Sequence, residues 1–203
     1  MKILAIGRNY TNHIKELGNA IPEEPVIFMK PDTALLKNNE PFYFPEFSSE
    51  IHYEAELILK IGKEGKHIAE KFASNYIEGI GIGIDFTARD LQGKLKEKGL
   101  PWVLAKGFNG AAPVSGFKKS ADFPDFKNIH FSLTKNAKTM QKGNSAHMIY
   151  SFEEIIAYIS KFITLKKGDI LFTGTPEGVG SINIGDKLEG FLEGEKMLEV
   201  AIK

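Results

Sequence analysis

The sequence has 203 residues, of which 42% are hydrophobic, and this length fits one domain with a substantial apolar core. The 26 basic and 26 acidic residues give a net charge of zero, so no long-range field attracts nucleic acid or an anionic membrane. The chain has no cysteine, which excludes disulfides and thiolate zinc sites and leaves carboxylate or imidazole groups to bind any metal.

The N-terminal part of the chain predicts short strands and one short helix. Residues 3–6 form an apolar run that predicts a buried strand, followed by a helix at 11–17 that ends at Gly18. The first run is too short for a signal peptide and no later stretch could span a membrane, so we expect a soluble cytoplasmic protein. A proline-rich stretch then predicts loops with one strand at 26–29, and residues 51–61 are rich in strand formers.

The remaining elements favour a β-rich fold. Residues 152–162 form an amphipathic helix, and Ser151 with Glu154 three residues later has the spacing of a capping box. Other predicted elements are strands at 79–85, 129–135 and 170–172, a helix at 87–98 closed by Gly99, and short glycine-punctuated strands after residue 168. Strands and helices do not alternate as in a doubly wound sheet, so we predict a β-rich α+β sandwich or roll in a single domain, 1–203.

Glu54 and Glu56 are candidate metal ligands. They lie two residues apart in a predicted strand, so both carboxylates project from one face while Ala55 points the other way. Carboxylate oxygens favour Mg²⁺, Mn²⁺ or Ca²⁺. The alternative is a solvated strand face, since Lys60 has the same phase.

The strand at 79–85 alternates strictly between glycine and isoleucine. Ile80, Ile82 and Ile84 share one face, whereas the three glycines and Asp85 share the other. Such an empty face suits the close approach of a ligand or of another part of the chain, and a tight strand crossing in the core remains the alternative. Asp85, at the end of the strand, is a candidate third ligand.

Three further features carry candidate catalytic or binding groups. His13 and Glu16 lie on one side of a short helix, where a carboxylate can orient a histidine that acts as a general base; many surface helices carry such a pair without function. Lys106 lies in an apolar segment, either extending to solvent or meeting an anion. The glycine-rich turn 173–180 lacks the P-loop pattern, but its backbone amides and Thr175 could bind a carboxylate.

Six segments in this order resemble the fumarylacetoacetate hydrolase family, and most closely its acylpyruvase and oxaloacetate decarboxylase branch. Together they span nearly the whole chain. The segments are Gly7-Arg8-Asn9-Tyr10 with His13 and Glu16, Phe28-Met29-Lys30-Pro31, Tyr53-Glu54-Ala55-Glu56-Leu57, 85–92, Gly99-Leu100-Pro101-Trp102 through Lys106, and Ile163-Thr164-Leu165 through Gly180.

The resemblance implies a set of site residues, a fold and an assembly. Glu54, Glu56 and Asp85 would bind Mg²⁺ or Mn²⁺, with Ca²⁺ as a non-native occupant. The implied catalytic residues are Lys106, beside the bound oxo acid, and the dyad of His13 and Glu16, which activates water. The implied substrate contacts are Arg8, Lys30, Gln92 and Thr175. The family fold is a mixed β-sandwich roll with a few short helices, and its members imply a homodimer.

The implied activity is the metal-dependent cleavage of a carbon-carbon bond in a small 2-oxo acid. It would be acylpyruvate hydrolysis, as of acetylpyruvate or fumarylpyruvate, or oxaloacetate decarboxylation, both through a metal-stabilised pyruvate enolate. Two alternatives stay open: a 2-hydroxyhepta-2,4-diene-1,7-dioate isomerase or decarboxylase of aromatic catabolism, and a non-catalytic module that binds an oxo acid or a metal.

Overall fold

The computed structural model describes residues 1–16, 18, 20 and 22–203, with only the backbone for Lys15. The described chain forms short strands joined by a few short helices. The strands are β1 Ile3–Gly7, β2 Val26–Lys30, β3 Leu35–Leu36, β4 Ile51–Tyr53, β5 Ala55–Ile61, β6 Ile77–Ile84, β7 Thr87–Ala88, β8 Ala112–Pro113, β9 Lys118–Lys119, β10 His130–Lys135, β11 Lys138–Asn144, β12 Ile170–Phe172, β13 Gly180–Ser181, β14 Lys187–Leu192 and β15 Glu195–Ala201. The α-helices are α1 Thr11–Glu16, α2 Glu70–Ala73, α3 Arg89–Glu97, α4 Val103–Lys106 and α5 Phe152–Phe162. Single 3₁₀ turns occur at Asp32–Ala34, Ser74–Tyr76, Ser120–Asp122 and Ser145–His147.

Two larger sheets enclose the core. The first has the strand order β2-β1-β12-β5-β6-β9. Within the described strands of this sheet, β1 and β12 are parallel and every other neighbouring pair is antiparallel. The second is antiparallel, with the order β11-β10-β14-β15, and it packs on strands β5 and β6 of the first. Apolar residues of both sheets and of α5 form one buried cluster. The predicted β-rich sandwich or roll with a few short helices is therefore confirmed.

The glycines of β6 are needed for close packing inside the protein. A Cβ atom built on Gly83 would lie 2.7 Å from Cε1 of Phe172, and one on Gly79 would lie 2.7 Å from the carbonyl oxygen of Lys118. The isoleucine face is buried as well, since Ile82 has no exposed surface. Of the two interpretations left open by the sequence, close packing within the core applies here.

Helix α5 begins where the sequence indicates. Ser151 Oγ accepts the backbone N–H of Glu154 at 3.3 Å, and the Glu154 carboxylate accepts the N–H of Ser151 at 2.7 Å. This capping box satisfies backbone donors that the first turn leaves unpaired. The apolar face of the helix, which includes Ile155 and Ile159, is buried in the core.

Two predicted elements differ from the structure in their bounds. The predicted strand 51–61 is interrupted at Glu54, because β4 pairs with β7 and β13 whereas β5 pairs with β6 and β12. The chain therefore changes sheets at Glu54. The predicted helix 87–98 begins later, at Arg89, because Thr87 pairs with His52 in a short antiparallel ladder. The first helix is α1, and Leu17 at its predicted end lies outside the described residues.

Candidate metal centre

The three acidic residues converge at the point where the chain changes sheets. Glu56 lies in β5 opposite Gly83 of β6, and Asp85 directly follows β6. The backbone N–H of Asp85 donates to the carbonyl oxygen of Glu54 at 2.8 Å, which places the two residues side by side. One oxygen from each carboxylate lies within 4.8 Å of the other two, and the residues are 5%, 2% and 0% exposed for Glu54, Glu56 and Asp85.

Basic side chains surround two of these carboxylates. The Lys106 ammonium lies 2.8 Å from Glu54 Oε2 and 2.6 Å from Asp85 Oδ2. Arg89 Nη2 donates to the other oxygen of Glu54 at 2.5 Å. Glu56 instead accepts the backbone N–H of Gly174 at 2.7 Å, and it makes no ion pair within the described part of the chain.

The electrostatics of the two glutamates differ accordingly. Burial acts to raise the pKa of Glu54, but the charges of Lys106 and Arg89 hold it well below its usual range. The pKa of Glu56 is well above its usual range because of burial and of repulsion from Asp85 and Glu54. Negative charge at Glu56 therefore needs further positive charge nearby.

The donor set fits a hard divalent cation. Three buried carboxylates on strand ends offer oxygen ligands of the kind that Mg²⁺, Mn²⁺ and Ca²⁺ prefer. A cation shared by all three would supply the positive charge that Glu56 lacks. It would also compete with the Lys106 ammonium for the oxygens of Glu54 and Asp85.

Most of the predicted site residues line one cavity of about 40 Å³ next to the carboxylates. The predicted residues that line it are Arg8, His13, Glu54, Glu56, Asp85, Gln92, Lys106 and Thr175. The cavity wall thus combines acidic, basic and amide groups in a small volume. Glu16 and Lys30 are not among its described lining residues.

The histidine dyad is brought together at the cavity by helix α1. His13 is 5% exposed, and its Nδ1 lies 3.2 Å from Glu16 Oε2. The other carboxylate oxygen of Glu16 accepts the backbone N–H of Gly178 at 3.1 Å. Glu16 therefore connects His13 to the glycine-rich turn after β12, and it leaves Nε2 of the His13 ring unbound by Glu16.

Lys30, which the resemblance implies as a substrate contact, lies behind the carboxylates and does not line the described cavity wall. Its ammonium lies 2.6 Å from Asp85 Oδ1 and donates to the carbonyl oxygens of Lys106, Ala111 and Phe86. The side chain has no exposed surface. The contacts therefore suit a group that holds Asp85 in place, because an ammonium saturated by four acceptors has no donor left for a ligand.

The glycine-rich turn binds a carboxylate of the chain itself. The sequence indicates that its amides and Thr175 could bind a carboxylate, and the N–H of Gly174 does so with Glu56. Gly174 has φ +103°, and a Cβ atom there would lie 2.6 Å from Cβ of Asn9. The Thr175 hydroxyl donates to the carbonyl oxygen of Ala55 at 2.8 Å, so this turn fixes the strand that carries Glu56.

Helix α3 contributes cavity residues that the sequence analysis missed. Arg89 and Lys96 line the cavity together with Gln92, and Arg89 Nη1 donates to Gln92 Oε1 at 2.7 Å. These residues are three and four positions apart, so they lie on one face of the helix. Once Gln92 is assigned to the site, that spacing indicates both basic residues. Phe28 and Trp102 supply apolar parts of the wall.

The β-rich domain thus carries a small cavity beside three buried carboxylates that could hold a metal ion. The model of the fumarylacetoacetate (FAA) hydrolase C-terminal family matches residues 2–203. The chain therefore belongs to the fumarylacetoacetate hydrolase family. No helix in the described part of the chain is long and apolar enough to cross a membrane.

Named relatives refine this assignment. The chain is 43% identical over 197 residues to an oxaloacetate tautomerase of Escherichia coli (strain K12), covering 97% of this chain and 90% of that protein. It is 42% identical over 189 residues to a mitochondrial oxaloacetate decarboxylase of Dictyostelium discoideum, covering 93% of this chain and 87% of the other.

A solved structure agrees with these relatives. The fumarylpyruvate hydrolase of Pseudomonas aeruginosa, in complex with Mn²⁺ and pyruvate, matches with a TM-score of 0.94 and 32% identity. The match covers 100% of this chain and 89% of that one. The predicted family, fold and enzyme class are therefore confirmed.

Proposed function

We propose that the protein is a divalent-metal-dependent enzyme that acts on oxaloacetate, interconverting its keto and enol forms and decarboxylating it. The observation that carries the proposal is the small cavity in which three buried carboxylates meet Arg8 and Lys106. The relatives named for oxaloacetate support this substrate over a hydroxydienedioate, and their naming as enzymes supports catalysis over mere binding.

Glu54, Glu56 and Asp85 would hold the metal, for which we propose Mg²⁺ or Mn²⁺, with Ca²⁺ as a non-native occupant. The Mn²⁺ in the Pseudomonas hydrolase supports this choice. When bound, the cation supplies Lewis acidity, which draws electron density from the 2-oxo group.

The basic groups bind and orient the anionic substrate. Lys106, which faces Glu54 and Asp85, supplies positive charge close to the oxygen that becomes negative in the enolate. Gln92 is held by Arg89 and offers its amide N–H groups to a substrate oxygen. Arg8 lines the same cavity and binds a carboxylate. Thr175 lines it too, but its hydroxyl donates to Ala55, so we assign it to fixing β5.

Each reaction forms an enolate with its negative charge on the C2 oxygen, that of oxaloacetate in tautomerisation and that of pyruvate in decarboxylation. In tautomerisation a proton moves between C3 and the oxygen on C2. In decarboxylation the C3–C4 bond breaks, CO₂ leaves, and the electron pair enters the pyruvate enolate, which takes a proton at C3. His13 is the candidate for moving the proton at C3, since its ring lines the cavity and Glu16 orients it.

Acylpyruvate hydrolysis is the second candidate function, favoured by the dyad of His13 and Glu16 and by the similarity to a fumarylpyruvate hydrolase. Here His13 takes a proton from water as the oxygen attacks the distal carbonyl. The bond from that carbon to C3 then breaks, releasing a carboxylic acid and the pyruvate enolate. Oxaloacetate needs no such attack, so one cavity can serve both reactions.

A substrate panel tests the proposal. Oxaloacetate, acetylpyruvate, fumarylpyruvate and a hydroxydienedioate are followed by ultraviolet absorbance with Mg²⁺ and with excess chelator. We expect the oxaloacetate reactions to be fastest and to stop with chelator. Preferred turnover of the hydroxydienedioate would favour the isomerase. If none of the four compounds is turned over, the protein would instead be a non-catalytic binding module.

Three wider predictions accompany this function. We propose that residues 1–203 form one catalytic domain, supported by the family match over 2–203. We propose a homodimer, as the family resemblance implies, which light scattering on the purified protein would test. A cytoplasmic location stays a prediction from the sequence, and the Dictyostelium relative is named mitochondrial.

A further inference from the structure

Positive charge is concentrated at one part of the cavity. Arg8 follows β1, and Arg89 and Lys96 lie on one face of α3; all three line the cavity beside the carboxylates. Because the three cations line one cavity they repel one another, and this repulsion, together with burial, lowers the pKa of Lys96. A bound anion would relieve this repulsion.

The two arginines differ in what they contact. The Arg89 guanidinium is engaged by Glu54 and Gln92. Arg8 makes no hydrogen bond or ion pair with any described residue, although it is only partly exposed. Its backbone has φ +61°, a left-handed conformation that costs about 1 kcal/mol or more in a residue other than glycine. Strained backbone of this kind clusters at ligand sites.

We propose that Arg8 and Lys96 bind the distal carboxylate of the substrate, so that the enzyme selects 2-oxo dicarboxylates over 2-oxo monocarboxylates. The inference rests on the proposed function, in which the 2-oxo acid end lies at the three carboxylates. The second carboxylate of a four-carbon substrate is only a few bonds from the first, so it would meet the part of the same cavity wall where Arg8 and Lys96 supply the opposite charge. Lys96 is thereby a specificity-determining residue.

The neighbouring lysines of the same segment provide a contrast. Lys94 and Lys98 are exposed like Lys96, but neither lines the cavity. If the positive charge of this segment acted only through its general field, all three lysines would affect binding alike. If Lys96 contacts the ligand, its replacement alone changes affinity for a dicarboxylate.

The test uses two stable ligands that differ in one group. Malate and 2-hydroxybutyrate are four-carbon 2-hydroxy acids, and the distal carboxylate of malate is a methyl group in 2-hydroxybutyrate. Trp102 is the single tryptophan of the chain and lines the cavity, so its fluorescence reports binding to the full-length, Mg²⁺-loaded protein. The variants are Lys96→Glu and, as the matched control, Lys94→Glu.

We expect the wild type to bind malate more tightly than 2-hydroxybutyrate. Lys96→Glu should weaken malate binding about tenfold, since it replaces attraction with repulsion at a partly exposed site, and should change 2-hydroxybutyrate binding less than twofold. Lys94→Glu should change neither. Equal losses for both ligands in Lys96→Glu, or no preference for malate in the wild type, would overturn the inference.

Kinetics separate this inference from the proposed function. Lys96→Glu should raise KM for oxaloacetate about tenfold while KM for acetylpyruvate stays within twofold. If the wild type turns over oxo acids but Lys96→Glu leaves both KM values unchanged, the proposed function stands and the inference fails. If the wild type turns over neither compound yet malate binding depends on Lys96, the proposed function fails and the dicarboxylate site stands.

Discussion

Replacing Lys30 by Met should destabilise the protein and only secondarily affect substrate binding. The ammonium of Lys30 has no exposed surface, lies 2.6 Å from Asp85 Oδ1 and donates to Ala111 O at 3.0 Å. Removing one partner of a buried ion pair costs about 3–5 kcal/mol, because the other charge stays buried. Asp85 keeps Lys106 at 2.6 Å, so we expect the lower end, about 3 kcal/mol.

Chemical denaturation in excess chelator measures this change without a contribution from metal binding. Lys60→Met is the matched control, because Lys60 lies in the same sheet but pairs with Glu78 at the surface, where such a pair contributes about 0–1 kcal/mol. If Lys30→Met lost less than about 1 kcal/mol while KM rose, Lys30 would be the substrate contact that the family resemblance implies.

Three other changes test the histidine dyad, the packing of β6 and the ion pair between Lys2 and Asp169. His13→Ala should slow acylpyruvate hydrolysis by roughly a hundredfold or more while slowing oxaloacetate decarboxylation far less, and equal losses in steady-state rates would refute the role of the dyad in activating water. Gly83→Ala should cost about 1–3 kcal/mol in denaturation, because the added methyl group would lie 2.7 Å from the Phe172 ring; unchanged stability would mean that the core adapts. Burial acts to raise the pKa of Asp169, but Lys2 holds it below its usual range, so its ion pair should stabilise the fold above about pH 4 and lose this effect as pH falls. The difference in unfolding free energy between wild type and Asp169→Asn should therefore shrink from pH 7 to pH 3, and a constant difference would contradict this sign.

Sequence patterns within a few residues predict the elements that local hydrogen bonds determine, but not the pairing of distant strands. The capping box at Ser151 marks the start of α5 because its two hydrogen bonds lie within four residues. The strand 51–61 could not be divided from the sequence, because the break at Glu54 arises from pairing with β7 and β13, which lie far along the chain. Strand propensity alone does not report which sheet a segment joins.

The site residues also differ in whether sequence spacing or tertiary packing reveals them. The spacing of Glu54 and Glu56 predicted neighbouring carboxylates, and the alternation of β6 placed Asp85 near them. The resemblance implies Lys30 as a substrate contact, whereas its contacts with Asp85 and with backbone carbonyls, which the sequence does not show, indicate a structural role that Lys30→Met would test. Lys96 was missed because a lysine near a helix end is ordinarily solvated, and only the packing of α3 brings it to the cavity.

A Mn²⁺ titration followed by electron paramagnetic resonance would show whether Glu54, Glu56 and Asp85 share one divalent cation. We expect the wild type to bind one Mn²⁺ per chain and each of Glu54→Gln, Glu56→Gln and Asp85→Asn, at retained fold, to bind it at least tenfold more weakly. Wild-type Mn²⁺ affinity in all three variants would contradict a shared cation.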